Sequence, residues 1–159
     1  MKTVVLLSYT GLGSNLLHLS YCHQIAKKFG PVTIITLCEN LSQVLSKDPL
    51  VREVIYLKQY YKKFTDIFNL SSFLKELKID NIFIFYPSIR FFIASKIAKI
   101  KNIKCYPFFY KKNLHLVNTA KKFTEEVLNI KNCPTETRIF IDKTDKEIAS
   151  KKIMSNKKN

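Results

Sequence analysis

Gly11, Leu12, Gly13, Ser14 and Asn15 form a short block between an apolar run and an amphipathic one. Two of the chain's three glycines lie here, so the backbone needs either unusual dihedrals or close approach by a ligand. A helix beginning near Asn15 would turn its free N–H groups toward that ligand and favour an anion. The spacing is not a dinucleotide fingerprint, because Leu16 stands where G-x-G-x-x-G has its third glycine, and no Walker lysine follows. The alternative is a tight strand-to-helix turn with Ser14 or Asn15 as N-cap.

A second candidate is Arg90, in the first turn of a predicted helix after Tyr86, Pro87, Ser88 and Ile89. Only Arg52, Arg90 and Arg138 interrupt a background of lysine, so an arginine here suits a phosphate or carboxylate matched to its planar fork. A surface salt bridge is the competing reading. Glu39, after the second predicted strand, is the best-placed carboxylate for general-base work, with a solvated loop residue as its alternative. His18 is placed one turn into the first helix, where it could face a cleft; His23 and His115 form no recognisable triad with it. Tyr106, Phe108, Phe109, Tyr110, Lys111 and Lys112 make an aromatic loop ended by cations, suited to a membrane interface or a stacked ligand, or else to core packing.

These residues need a scaffold, and the apolar pattern describes one. Residues 3–8 (TVVLLS), 32–37 (VTIITL), 53–57 (EVIYL), 81–86 (NIFIFY) and 103–106 read as short strands. Between them, residues 15–29, a weaker 41–46, and stripes at Ile67, Leu70, Leu74 and Leu77, then Ile89, Ile93, Ile97 and Ile100, read as helices. Leu116, Ala120, Phe123, Val127 and Ile130 stripe a last, longer one. Near-continuous hydrophobic strands alternating with amphipathic helices predict an α/β fold, a doubly wound and mostly parallel sheet with helices on both faces. In such a sheet ligands bind at the carboxyl ends of the strands, so the Gly11 to Asn15 loop and Arg90 are expected on one cleft.

With 159 residues, the chain is one domain, expected over 1–141 with a Lys-rich polar tail at 142–159. Its formal charge of +15 points to acidic partners, although a drift toward Lys, Asn and Ile would give the same value without a selected site. Nearly half of the residues are hydrophobic, which excludes a disordered or collagen-like chain. The early apolar run is too short to span a bilayer, and no signal-peptide cleavage pattern accompanies it. Cys22, Cys38, Cys105 and Cys133 are scattered without metal-binding spacing, so reduced, mostly buried thiols in a cytoplasmic chain and no metal are expected.

On these residues the chain resembles the amino-terminal half of glycosyltransferase family 9, which includes the lipopolysaccharide heptosyltransferases. The resemblance runs through Gly11 to Ser20, where the family shows Gly-x-Gly-Asp and then Thr-x-Pro-Ala. It continues through the second strand, the stretch Asp48, Pro49, Leu50, Val51, Arg52, Glu53, Val54 and Ile55, which is similar to N-P-x-V-D-x-V, and the helix start at Ser88, Ile89 and Arg90. It implies a two-domain GT-B, metal-independent enzyme of cell-envelope glycolipid synthesis. One domain holds an anionic lipid-linked glycan acceptor, and the other a nucleotide-sugar donor, with no further cofactor.

The resemblance places Gly11, Gly13, Ser14 and Asn15 around the acceptor, with Arg90 on its acidic group. The family's loop aspartate, its general base, falls on Ser14, which does not do that work unaided at neutral pH. No catalytic base is assigned, and the carboxy-terminal donor domain is expected to be absent. Hence an isolated chain is expected to be inactive as a heptosyltransferase-like enzyme, a fragment or a degenerate acceptor domain at the inner face of the cell membrane. The alternative is a non-catalytic basic module on an anionic membrane surface, a partner or nucleic acid, the last without an RRM, zinc-finger or helix-turn-helix signature.

Overall fold

The computed structural model describes residues 1–58, 63–107 and 115–142. In chain order the elements are β1 (Thr3–Leu7), α1 (Leu12–Leu16), α2 (Leu19–Phe29), β2 (Val32–Thr36), α3 (Leu41–Val44), β3 (Val51–Tyr56), α4 (Asp66–Glu76), β4 (Asn81–Ile84), α5 (Ile89–Ile97), β5 (Asn102–Cys105) and α6 (Leu116–Leu128). All strand pairs are parallel, in the order β3-β2-β1-β4-β5. The fold is α/β and Rossmann-like.

Every residue of β1, β2 and β4 is buried, Thr3, Thr33, Thr36 and Asn81 included, as central strands are when helices cover both faces. Side chains alternate across the pleat. Val5 and Leu7 therefore join Leu19, Ile25, Ala120 and Phe123 on the side of α2 and α6. Val4 and Leu6 join Leu70, Leu74 and Ala94 on the side of α4 and α5. The edge strands β3 and β5 are only partly covered, which is why their polar residues Arg52, Glu53 and Lys104 are tolerated there.

The long helix expected over residues 15–29 is two helices. The chain becomes helical already at Leu12, and Gly11, not Ser14 or Asn15, occupies the N-cap. It breaks at Leu17 and His18 for a local reason: the His18 ring takes the Ser14 carbonyl at 2.7 Å, while the His18 N–H turns to Asn15 at 3.0 Å. A side chain thus replaces the backbone donor of the regular ladder. The third strand starts two residues earlier than expected, at Val51, because Asp48 shapes the turn before it. Its Oδ1 accepts the Leu50 N–H at 2.9 Å and its Oδ2 meets His23 Nε2 at 2.6 Å.

The strand order creates a switch point. From β1 the chain moves outward through β2 to β3, then returns to the other side of β1 as β4. The connections leaving β1 and β4 consequently diverge and open a crevice at their carboxyl ends.

Candidate functional site

Two loops wall this crevice, residues 8–11 after β1 and 85–88 after β4. Tyr9 and Tyr86 bring them together edge to face, with ring centroids 5.8 Å apart. The Tyr9 hydroxyl crosses the gap and donates to the Phe85 carbonyl at 3.0 Å. Burial, helped by the neighbouring Tyr86, pushes the Tyr9 hydroxyl up to about 12, so it remains a neutral donor at physiological pH.

Beneath the first loop lies a closed hydrogen-bond network. Asn15 donates to the carbonyls of Tyr9 at 3.0 Å and Gly11 at 2.7 Å, and accepts from Thr36 Oγ1 at 2.8 Å. It is 1% exposed. The side chain expected against an acceptor instead shapes the loop from below, locking it to the end of β2.

His18 is fully buried and does not face the cleft. Its ring stacks on Tyr9 at 4.8 Å, and its Nε2 lies 3.3 Å from the Tyr106 hydroxyl. Nδ1 donates to the Ser14 carbonyl, so Nε2 is the acceptor. Burial holds the imidazole down at about 4, leaving it neutral and occupied rather than poised as a base on a substrate. Tyr106, expected at a membrane or ligand surface, is likewise a core residue. It is 3% exposed and packs on Phe85 and Phe123, with centroids 5.4 and 4.9 Å away. Phe108, Phe109, Tyr110, Lys111 and Lys112 lie outside the described residues.

Around the crevice lie glycine backbone, a hydroxyl and an arginine. Gly11 has an ordinary φ of −79°, and Gly13 lies within α1 and is not among the positive-φ residues, so neither needs glycine for its dihedrals. A Cβ on Gly13 would meet nothing within 4 Å, and one on Gly11 only Ser14 Oγ at 3.9 Å. Among the described residues nothing crowds a Cβ at either position.

Ser14 is half-buried, with its hydroxyl over Gly11. Arg90 is half-buried in the first turn of α5, a helix capped by Ser88 Oγ accepting the Phe91 N–H at 3.4 Å. It lines a depression of about 370 Å³ with Phe64, Tyr86, Pro87, Ser88 and Ile89. Gly11, Gly13 and Arg90 thus share the carboxyl edge, the glycines at the start of α1 and Arg90 in the first turn of α5. Glu39 is exposed on the same edge beyond β2, while His115 caps α6, its Nδ1 accepting the Val117 N–H at 3.4 Å.

Sequence reasoning passed over three residues of the site. Tyr9 and Tyr86 join the loops, and Ser8, at the end of β1, has a buried hydroxyl without a hydrogen-bond partner. Their signal was position, one or two residues beyond a fully apolar strand. The stretch from Asp48 to Ile55 enters β3 from the opposite, amino edge of the sheet, where Asp48 shapes the turn and Glu53 lies 3.2 Å from Lys2. Among the described residues no group of three His, Cys, Asp or Glu gathers at metal-binding distance, and the four cysteines are free thiols.

No protein-family model matches the chain, and no curated protein matches it. Solved structures do. A glycosyl transferase family 9 structure from Veillonella parvula DSM 2008 aligns over 98% of this chain and 49% of its own, at a TM-score of 0.64 and 16% identity. The fold is that of half a family 9 glycosyltransferase. The E. coli ADP-heptose lps heptosyltransferase II aligns over 96% of this chain and 50% of its own (TM-score 0.63, 14% identity). E. coli heptosyltransferase WaaC with ADP aligns over 86% and 50% (TM-score 0.54, 13% identity). The chain therefore spans about half the length of the glycosyltransferases whose fold it shares.

Proposed function

We propose that this chain is the amino-terminal, acceptor-binding domain of a heptosyltransferase-like glycosyltransferase of cell-envelope glycolipid synthesis, working with a donor domain. The observation that carries the reading is the switch-point crevice, whose two loops meet through Tyr9 and Tyr86, with exposed Gly11 and Gly13 following β1 and the Arg90 depression following β4. An acidic, lipid-linked glycan suits it: the glycines admit a sugar face against the backbone, and the guanidinium forks onto a carboxylate or phosphate.

In the joined enzyme an acceptor hydroxyl attacks the anomeric carbon of the nucleotide sugar. Its proton passes to a base and the nucleoside diphosphate departs with the bonding electrons, with inversion. Tyr9, neutral and tied to Phe85, and Asn15 hold the acceptor wall rigid. Neither wall loop carries a carboxylate, and Ser14 offers no base. Positioning both reactants is a large share of such catalysis, so one wall alone gives little turnover.

Exposed Phe64, Phe68 and Ile89 near the Arg90 depression, in a chain of charge +15, fit docking on an anionic membrane at the inner face of the cell membrane, where a lipid-linked acceptor resides. Mass-detected sugar transfer by the isolated chain, by the chain fused to a donor domain, and by that fusion carrying Ser14→Asp tests the proposal. The isolated chain is expected to be inactive. The substitution is expected to raise turnover of the fusion on the order of 10²-fold. Robust transfer by the isolated chain would overturn the acceptor-domain reading.

A further inference from the structure

A second cavity, of about 250 Å³, lies away from the crevice between one flank of α2 and the extended residues 134–140. Ser20, Gln24 and Lys27 recur at helical spacing and share that flank, while Glu136, Arg138 and Phe140 alternate along the extended segment and share one side of it. The segment is held along its length. Cys133 N–H donates to Glu125 at 2.9 Å, Thr137 Oγ1 to the Leu16 carbonyl at 2.9 Å, and Asp142 pairs with Lys47 at 2.6 Å. Phe140 meets the ring of His23 edge-on at 5.9 Å.

The lining is electrostatically unfinished. Ser20 is buried, its hydroxyl turned toward the Tyr21 side chain. Lys27 and Arg138 form no ion pair among the described residues. Two such cations lining one cavity call for an oxyanion. The amide of Gln24 and the carboxylate of Glu136 complement hydroxyl groups, and the Phe140 ring offers a platform for the C–H face of a sugar. The volume is below the roughly 300–1,000 Å³ of sites for drug-sized ligands, which limits the occupant to a small metabolite.

We propose that this cavity binds a small sugar phosphate, its phosphate toward Lys27 and Arg138 and its hydroxyls toward Gln24 and Glu136. The site is distinct from the acceptor crevice and does not depend on it.

Amide-shift titrations of the full chain with ribose 5-phosphate, ribose and inorganic phosphate, at about 0.15 M salt to screen diffuse attraction, test the proposal. Ribose 5-phosphate is expected to saturate and to move amides of residues 20–27 and 134–140. Arg138→Ala and Lys27→Ala should each weaken it on the order of 10-fold or more. Lys104→Ala, removing an exposed charge on β5 at the other edge of the sheet, should leave it unchanged. Equal weakening in all three variants, or shifts centred elsewhere, would overturn the site. Inorganic phosphate bound as tightly as ribose 5-phosphate would overturn the sugar, and ribose bound as tightly would overturn the phosphate. The shift map of the unsubstituted chain stands as evidence even if a variant fails to fold.

Discussion

His18 is held as a neutral imidazole, donating to Ser14 from Nδ1 and accepting from Tyr106 at Nε2. Its value of about 4 in the folded chain lies below the ordinary 6.5, so the unfolded chain takes up the proton first as pH falls. The stabilisation is fully present above about pH 6.5 and is lost progressively toward pH 4, a change of roughly 3 kcal/mol. Urea unfolding across that window should show this loss, and a His18 carbon resonance titrating near 6.5 would contradict the burial argument. Gly13 gives a second residue-scale test. Because a Cβ there meets nothing, Gly13→Ala should stabilise the chain by about 0.5 kcal/mol through its helical backbone while weakening acceptor binding. A variant both more stable and equally able to bind would remove the reason for glycine at this position. The sequence showed a histidine one turn into a helix, but whether that turn faced solvent or core depended on the packing of its ring against Tyr9 and Tyr106, which the local pattern does not carry.

At the level of elements, the strands were the most legible part of the chain, because β1, β2 and β4 carry apolar residues on both faces and only a covered parallel sheet accommodates that. Their order was not legible in detail, yet it is what sets β1 beside β4 and so brings the Gly11 loop to Arg90. The glycine loop and Arg90 were singled out from residue type, whereas the meeting of Tyr9 with Tyr86 was not legible, since an aromatic residue after a strand carries no signature of the partner it meets. Asn15 was found for a role other than the one its contacts describe. Its amide joins the end of β1, the start of α1 and, through Thr36, the end of β2. Asn15→Ala would strand buried groups on all three and is expected to cost about 2–3 kcal/mol in denaturant unfolding. A cost below a few tenths would mean that the loop holds its shape without this joint.

For the whole molecule, charge and exposed apolar surface act together. Among the described residues no helix is long and apolar enough to cross a membrane. In the proposed docking on an anionic membrane, Phe64 and Phe68, 75% and 68% exposed, would supply insertion and the +15 charge attraction. Sedimentation with anionic vesicles should capture the chain, weaken as salt rises and weaken further in Phe64→Ser with Phe68→Ser, whereas neutral vesicles should leave it in solution. Capture by anionic vesicles untouched by the double substitution would assign the attraction to charge alone. The central claim is narrower: the crevice between β1 and β4 receives an acidic glycan. Its most direct measurement is amide-shift mapping of the chain titrated with deacylated lipopolysaccharide core, beside the Arg90→Lys variant. Saturating shifts at Gly11, Gly13 and the first turn of α5, with affinity reduced on the order of 10-fold by Arg90→Lys, are the result the account requires. Shifts confined to the amino edge of the sheet, or an affinity indifferent to Arg90→Lys, would contradict it.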